Sequence, residues 1–222
     1  MLFSRIVTRA ASTHARILER GLALSSQRGL DGVTLGVLAD RVGISKSGLF
    51  AHFKSKDDVQ IELLDYSSQL SGSHIIEPAM SEPDGLPRLR AVVRNWFGWA
   101  PRSGLPGGCP VAAGMFEFDD VESPVRDKIA AIEAEWRLFL CNLVRRAVEL
   151  GQLRENLEVE QFVWELNGIY LAHHTSQRFL RSPDADQRAA AAFDGLLERS
   201  LRVEKSRKTK NSIRRRGKSR AG

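Results

Sequence analysis

The 222-residue sequence predicts an all-α fold, and three observations support that prediction. Apolar residues recur at helical spacing in nearly every long segment. Ser, Thr and Pro stand where these segments begin, and Gly stands where several of them end. No segment alternates convincingly between apolar and polar residues, and the Asp31-Gly32 pair lies between two helix signals. We therefore interpret that pair as a helix–helix connection rather than a hairpin turn.

Four helices are predicted in the first part of the chain. They run from about Ser12 to Arg28, from Thr34 to Gly43, from Ser45 to about Phe53, and from Ser55 to a break at Pro78, Pro83 and Pro87. Asp58 follows Ser55 at the spacing of a capping box, in which each side chain accepts a backbone N–H bond.

The second part of the chain begins with a helix from about Pro87 to Trp99 and a loop over residues 101–110. A short helix follows around Ala112 to Gly114 and ends at Asp119 and Asp120. The best-marked helix comes next, with Ser123 as its N-cap, Pro124 at its first position and Gly151 as its stop. Two more helices are predicted at about Glu158–Arg181 and Asp184–Val203.

Composition and charge narrow the classes of protein. The chain is 42% hydrophobic and 27% charged, which is ordinary globular composition. No window approaches the roughly 18 consecutive apolar residues of a membrane helix, and the first residues have no signal-peptide core. We expect a cytoplasmic protein without a membrane partner, with residues 1–11 as a flexible arm.

The charge is unevenly distributed along the chain. Residues 1–56 carry nine basic and three acidic residues, whereas residues 57–203 carry 15 basic and 23 acidic residues. Residues 204–222 carry nine basic residues and one acidic residue. This pattern predicts separate roles for a polyanion-binding head at 12–56, an acidic body at 57–203, and a disordered basic tail at 204–222. The tail either adds phosphate contacts or only improves solubility, and the sequence leaves both interpretations open.

Residues 35–54 have the spacing of a helix-turn-helix. Ala39 is small enough for the crossing of two helices, and Gly43 tolerates the positive φ of the turn. Apolar plugs on both helices are Leu38, Val42, Ile44 and Leu49, and the preceding helix offers Ile17, Leu18, Leu22 and Leu24 as support. The second helix of such a motif enters the DNA major groove with its N-terminal residues leading.

The residues at that leading end suit DNA. Ser45, Ser47 and Gly48 are short, and Lys46 can reach a base edge or a phosphate. Thr34 caps the helix before, where free N–H groups could hold a phosphate. The cationic or ring-bearing residues near the far end are His52, Lys54 and Lys56. We therefore predict a domain that binds double-stranded DNA.

The segment Gly43–Val59 resembles the DNA-binding signature of the TetR family of transcriptional regulators. The resemblance implies an all-helical homodimer that represses or otherwise regulates promoters and releases its DNA operator when a small ligand binds. It implies that residues 57–203 form the helical regulatory and dimerisation domain. It also implies DNA contacts at Thr34, Ser45, Lys46, Ser47, Gly48, Phe50, His52 and Lys56. Phe50 departs from the usual Tyr, and Ser25 and Gly21 depart from an aromatic residue and Ala. Glycine within a helix costs about 1 kcal/mol relative to Ala, so we expect a less stable supporting helix.

The segment from Gly107 to Asp120 also resembles a stretch found in one subgroup of these regulators. A ligand cavity in a helical bundle should be mostly apolar with a few polar groups. The candidates are Trp96, Trp99, Met115, Phe116, Trp136, Phe139, Trp164, Tyr170 and His173. These residue types favour a small apolar or aromatic effector, although burial in the core is the more common role for each single residue.

Two apolar stripes in the last predicted helices are candidates for a dimer interface. They comprise Phe162, Leu166, Ile169, Tyr170 and His173 in one helix, and Ala189, Ala192, Phe193, Leu196, Leu197 and Leu201 in the other. The alternative is that both stripes are buried within the same chain. Gly168 and Ala172 would allow a close approach between helices.

Other functions have less support in the sequence. Cys109 and Cys141 lack zinc-site spacing and are read as reduced thiols, with a redox-responsive regulator as the alternative. A helical enzyme is less favoured, since no Gly-x-Ser-x-Gly, His-Glu-x-x-His or phosphate-binding Gly loop with Lys is present. Adjacent His173 and His174 point about 100° apart on a helix, so we expect no metal site there. We also expect no cofactor.

Overall fold

In the computed structural model, residues 9–202 are described, with side chains from residue 13 onwards. These residues form eleven α-helices and one π-helical turn, and no β-strand is present among them. The helices are α1 Arg9–Arg28, α2 Leu35–Val42, α3 Lys46–Phe50, α4 Lys56–Ser71, α5 Glu77–Ala79, α6 Leu86–Trp96, α7 Trp99–Arg102, α8 Pro110–Glu117, α9 Pro124–Glu149, α10 Val159–Arg178 and α11 Ala185–Glu198. The all-α prediction is confirmed. Within the described part of the chain, no helix combines the length and apolarity needed to cross a membrane.

Of the two chain ends, only the N-terminal one can be compared with the expected organisation. Helix α1 begins at Arg9, so the segment 1–11 that we expected to be a flexible arm already contains the start of a helix. The basic tail at 204–222 lies outside the described residues. Helix α4 begins at Lys56, so one continuous helix runs from the expected domain boundary into the body.

The predicted helix starts at Thr34, Ser45 and Ser55 are confirmed, because these side chains satisfy the first free N–H groups. Ser45 Oγ accepts a bond from the Gly48 N–H at 3.0 Å, and Ser55 Oγ accepts one from the Asp58 N–H at 3.0 Å. The carboxylate of Asp58 accepts from the Lys54 N–H rather than from the N-cap itself. Helix α3 ends at Phe50, three residues before the expected end.

The expectation that Pro78 breaks the chain is wrong. A π-helical turn over Gly72–Ile76 joins α4 to α5, and Pro78 lies within α5. Proline lacks an N–H and its ring crowds the carbonyl four residues earlier, so a wider turn accommodates it. In this turn the Glu77 N–H donates to the Gly72 carbonyl. At the start of this turn, the Leu70 carbonyl forms hydrogen bonds with the Ser73 hydroxyl and the His74 ring, both at 2.9 Å.

The expected helix from Pro87 to Trp99 is interrupted. Helix α6 ends at Trp96, Phe97 is extended, and Gly98 adopts the left-handed conformation with φ of 69°. Trp99 then begins α7, which occupies the first residues of the expected loop. Gly98 thus turns the chain so that Trp96 and Trp99, in different helices, are both buried.

The three long C-terminal helices are confirmed with shorter ends. Ser123 caps α9 through its Oγ, and Gly151 follows α9 with φ of 67°. Helices α10 and α11 end at Arg178 and Glu198, earlier than expected. Beyond α11, Leu201 forms an isolated antiparallel bridge with Leu153 instead of extending the helix.

The apolar stripes of α10 and α11 are mostly buried within this chain. Phe162, Leu166 and Phe193 are almost completely inaccessible and belong to the main core. The expectation that these stripes face a partner is therefore wrong, and the alternative that they are buried internally is confirmed. Gly168 and Ala172, by contrast, are exposed on the outer side of α10.

The structure explains why glycine stands at position 21, which the sequence did not reveal. A Cβ at Gly21 would lie 2.8 Å from Leu63 Cδ2 and 3.4 Å from Leu38 Cδ1. Glycine therefore lets α1 pack closely against α4, where Leu63 is completely buried. The helix-propensity cost of Gly21 is offset by this packing, so Gly21→Ala is not simply stabilising.

Candidate DNA-binding surface and ligand cavity

The turn between α2 and α3 has the geometry that the motif requires. Gly43 adopts φ of 77° and ψ of 39°, a left-handed conformation that favours glycine. The N–H groups of Gly43 and Ile44 both donate to the Ala39 carbonyl, at 2.9 and 3.1 Å. Leu38 and Leu49 are completely buried on either side of the turn. The angle between the two helices is therefore fixed by backbone hydrogen bonds and by packing.

The N-terminal end of α3 presents short polar side chains to solvent. Ser45, Lys46 and Ser47 are exposed, and Ser45 Oγ lies 3.0 Å from Ser47 Oγ. The Lys46 side chain lies against α2, because a Cβ on Gly36 would be 3.3 Å from Lys46 Cε. Thr34, also exposed, caps α2 by accepting from the Val37 N–H at 3.3 Å. These residues form one surface, which we call the α3 surface.

The remaining predicted DNA contacts lie in different environments. Phe50 is 53% exposed although it is a large apolar residue. The half-buried His52 ring packs near His14 and Phe53, with centroid distances of 5.8 and 6.3 Å. Lys56 Nζ forms an ion pair with Asp31 Oδ1 at 2.6 Å. A phosphate would therefore compete with Asp31 for Lys56, which the sequence pattern did not indicate.

A cavity of about 300 Å³ lies in the helical body. Residues of α4, α6, α7, α8, α9 and α10 line it, together with Ile75 and Ile76 of the π-helical turn. Of the aromatic and methionine candidates, those that line it are Trp96, Trp99, Met115, Trp136, Phe139 and Tyr170. Its volume is at the lower end of the range usual for small-molecule sites.

Three candidate ligand residues do not line this cavity. Phe116 and Trp164 are 60% and 64% exposed, since they project from the outer faces of α8 and α10. His173 is buried elsewhere, where its Nε2 lies 2.6 Å from Asp186 Oδ1. Helical spacing identified these side chains as apolar or aromatic but did not indicate which face of each helix meets the cavity.

The aromatic wall of the cavity is packed ring against ring. Trp96 stacks on Tyr170 with a centroid distance of 4.1 Å and an interplanar angle of 15°. Trp136 meets Trp96 edge-on at 4.9 Å and lies 5.5 Å from Phe139. Burial raises the pKa of the Tyr170 hydroxyl well above its usual value, so Tyr170 stays neutral. A flat apolar molecule suits these ring faces.

Sequence reasoning missed the polar side of the cavity. Ser67, Ser68 and Ser71 of α4 line it, as do Asn167, Glu133 and Glu135. The available signal was a run of hydroxyl residues at helical spacing in α4, on a helix whose other inward residues are apolar. Their role becomes visible only when α4 is placed against α9 and α10.

The possible metal ligands and the two thiols of the described residues are placed as follows. Within residues 9–202, no group of three or more His, Cys, Asp or Glu side chains is arranged to hold a metal ion. Cys109 and Cys141 are free and buried, and burial raises the pKa of both thiols. Both are therefore mainly protonated near neutral pH, which disfavours reaction as thiolates.

The cavity helices contact the N-terminal helices directly. The Gly108 N–H donates to the Ser26 carbonyl of α1 at 2.9 Å. A Cβ on Gly107 would overlap the same carbonyl, so the loop before α8 passes directly over the backbone of α1. At the other end of α8, Glu117 Oε2 accepts from the Asp31 N–H at 2.9 Å.

Comparison with known proteins agrees with this arrangement. Residues 17–63 match the family model of the bacterial regulatory proteins of the TetR family, and residues 85–193 match the tetracyclin repressor-like C-terminal domain. The chain belongs to the TetR family of transcriptional regulators. Membership of the TetR family makes it a DNA-binding regulator with a helix-turn-helix, and points away from an enzyme.

Relatives and solved structures of TetR type cover most of the chain. The nucleoid occlusion factor SlmA of Vibrio cholerae is 28% identical over 174 residues, which are 77% of this chain and 84% of that protein. A TetR-family regulator from Cytophaga hutchinsonii has a TM-score of 0.77 at 16% identity, covering 87% of this chain and 97% of its own. FadR of Bacillus subtilis in complex with stearoyl-CoA has a TM-score of 0.69 at 15% identity, covering 83% and 97%.

Proposed function

We propose that this TetR-family regulator is a homodimer that binds a specific double-stranded DNA operator and releases it when a small effector enters the cavity. The observation that carries the proposal is the coexistence of an exposed, rigidly held α3 surface with an aromatic cavity. The loop before α8 and the C-terminal end of α8 connect the cavity to the N-terminal helices, through hydrogen bonds to Ser26 and Asp31. The proposal divides the chain into a DNA-binding unit at 12–56 and a regulatory unit at 57–203.

The α3 surface suits the major groove. Ser45, Ser47 and Gly48 have short side chains, so the start of α3 can approach the base edges closely. Lys46 lies beside them and supplies a cation for a base or a phosphate. Thr34 at the start of α2 offers its hydroxyl and nearby N–H groups to a phosphate.

Dimerisation is supported by an outer face of α10 that the chain leaves uncovered. Trp164, Gly168, Ala172 and Phe179 follow one another at helical spacing, and all four are exposed. Nothing lies within 4 Å of a Cβ built on Gly168, so a second helix could approach closely there. Exposed Trp and Phe next to small residues are typical of a protein–protein contact.

Helix α8 supplies a physical link between effector and DNA. Its residues Val111, Ala112 and Met115 line the cavity, whereas Glu117 at its end binds the Asp31 N–H. An effector that shifts α8 would therefore displace the contacts to Ser26 and Asp31. We propose that this displacement changes the separation of the two α3 surfaces in the dimer.

The first experiment measures operator binding by fluorescence anisotropy, with fragments of the DNA upstream of the protein's own gene. Lys46→Ala should weaken binding about tenfold, through loss of a base or phosphate contact. Lys128→Ala is the matched control, because it removes the same charge from α9, where Lys128 pairs with Asp65. Equal affinities for the wild type and Lys46→Ala would contradict the proposed role of the α3 surface.

A redox-responsive regulator is tested separately. The double variant Cys109→Ser and Cys141→Ser should bind the operator as the wild type does, before and after peroxide treatment. The reason is that both thiols are buried with raised pKa values. A peroxide effect that the double variant abolishes would favour redox control instead.

A further inference from the structure

Two polar atoms of the cavity wall are buried without a partner. Within residues 9–202, neither Ser67 Oγ nor Trp136 Nε1 has a hydrogen-bond partner. Ser67 is completely inaccessible, and both residues line the cavity. A buried hydroxyl or indole N–H without a partner is costly, so such groups are expected to be satisfied by something that enters the site.

The two neighbouring serines of the cavity wall do have hydrogen-bond partners, unlike Ser67. The hydroxyl of Ser68, one residue further along α4, donates to the Leu64 carbonyl at 3.0 Å. The Ser71 hydroxyl donates to the Ser68 carbonyl at 2.9 Å. Both side chains line the same cavity, but their hydrogen-bonding needs are met within the helix. Ser67 alone among these three serines has a hydroxyl without a hydrogen-bond partner in the described structure.

The indole of Trp136 is similarly different from the other two cavity tryptophans. Among the described residues, the buried side-chain polar atoms without a hydrogen-bond partner include Trp136 Nε1 but neither Trp96 Nε1 nor Trp99 Nε1. An indole N–H can only donate, and therefore the missing partner must be an acceptor.

The charges around the cavity determine which kind of acceptor fits. The described residues that line it include no Lys, Arg or His, but they include Glu133 and Glu135. Glu133 is already paired with Arg137, whose Nε lies 2.8 Å from its carboxylate. A ligand carboxylate or phosphate would lose its hydration without gaining a cation, and would face two like charges. A neutral oxygen avoids both costs.

We propose that the effector is an uncharged, flat apolar molecule with a carbonyl-type oxygen that accepts hydrogen bonds from the Ser67 hydroxyl and the Trp136 indole. This inference rests on the proposed function, in which the effector occupies this cavity. It sets the site apart from one that takes an anionic ligand. The aromatic wall that contains the stacked Trp96 and Tyr170 rings contacts the body of the molecule, and the two donors orient it.

The test uses three naphthalene probes of similar size. They are 2-acetonaphthone, which has a carbonyl oxygen, 2-ethylnaphthalene, which lacks it, and 2-naphthoate, which is charged. Affinities for the full-length protein are measured by quenching of tryptophan fluorescence and checked by thermal shift. We expect 2-naphthoate to bind at least about tenfold more weakly than the ketone, since it loses hydration without gaining a cation. Tighter binding of the carboxylate, or no binding by any of the three, would overturn the inference.

The two donors are tested with Ser67→Ala and Trp136→Phe. Each should reduce the ratio of ketone affinity to hydrocarbon affinity about fivefold, the usual value of one hydrogen bond. Ser68→Ala is the matched control and should leave the ratio unchanged, because its hydroxyl is satisfied by Leu64. The same ratio in all four proteins would overturn the inference, even if every probe binds.

Operator binding in the presence of each probe separates this inference from the proposed function. If the ketone binds with the expected dependence on Ser67 and Trp136 but leaves operator affinity unchanged, the proposed release mechanism fails and the ligand preference stands. If the ketone and the hydrocarbon release DNA with an affinity ratio that neither variant alters, the release mechanism stands and the ligand preference fails.

Discussion

The α3 surface and the cavity are built in opposite ways. The α3 surface comes from about twenty consecutive residues, is exposed, and owes its shape to caps and a left-handed glycine within that stretch. The cavity gathers residues from Ser67 to Leu171, on six helices, and most of its aromatic wall is buried. A DNA-reading site can therefore be recognised from local spacing, whereas an effector site depends on how distant helices pack.

The N-terminal helices and the body share the continuous helix α4 and a buried apolar cluster around Leu30. Two hydrogen-bonded points add to this junction, namely the loop at Gly107 and Gly108 against Ser26, and Glu117 against Asp31. Backbone contact at the first point is rigid, whereas the second is one side-chain hydrogen bond. The first contact is therefore harder to break than the second. Substitutions at the two points measure how strongly the two regions depend on each other.

Gly107→Ala should have the largest effect, because the added Cβ would overlap the Ser26 carbonyl and force the loop away from α1. We expect a loss of about 3 kcal/mol or more in the free energy of unfolding, measured by urea denaturation. Gly72→Ala is the control, since nothing lies within 4 Å of its Cβ and its φ of −55° suits alanine. A neutral Gly107→Ala would show that the loop before α8 is not held tightly against α1.

Acidification should weaken the body through His174. Burial, together with Arg178 and His173, lowers the pKa of His174 from 6.5 to about 4. Between these values the unfolded chain binds a proton that the folded chain does not, so stability falls as the pH decreases. We expect a loss of about 2 kcal/mol between pH 7 and pH 4.5 from this residue.

The matched variants are His174→Gln, which should lack this part of the pH dependence, and His74→Gln, which should retain it. His74 is exposed on the π-helical turn, with its ring bonded to the Leu70 carbonyl. The measurement is the free energy of unfolding of the wild type and both variants, obtained from denaturant titrations across this pH range. Parallel curves for all three would rule out His174 as the source.

Glu117→Ala should loosen the second point of the junction by about 1 kcal/mol, because the Asp31 N–H loses its acceptor. Hydrogen exchange at the Asp31 amide should become about fivefold faster. Glu117→Gln keeps a carbonyl acceptor and should show a smaller change. Unaltered exchange in Glu117→Ala would mean that this hydrogen bond does not hold the two regions together.

Asp31→Asn should have the smallest effect on stability, below about 1 kcal/mol, since its ion pair with Lys56 is exposed. It should raise operator affinity about two- to threefold at low salt by releasing Lys56 for a phosphate. Asp194→Asn, which breaks the exposed pair with Arg90 in the body, is the control and should leave DNA binding unchanged. A drop in affinity with Asp31→Asn would assign a different role to Lys56.

Particular residues show why prediction succeeded in one region and not in the other. Thr34, Ser45 and Gly43 act through backbone atoms within four residues, so their roles follow from spacing alone. Trp164 and Tyr170 belong to the same helix and look alike in sequence, yet one is exposed and the other lines the cavity. Their difference depends on which neighbouring helices cover each face of α10.

The amino-acid sequence by itself was sufficient to predict most of the helices, their caps, the left-handed turn at Gly43 and the family signature. Each of these features depends on residues that are close together in the sequence. Only the tertiary structure decided that Gly21 and Gly107 lie where distant segments pack closely, that Lys56 pairs with Asp31, and that Ser67 and Trp136 belong to the cavity wall with buried donors that lack a partner. Each of these features depends on segments that are distant in sequence. Local propensity and periodicity contain no information about such contacts.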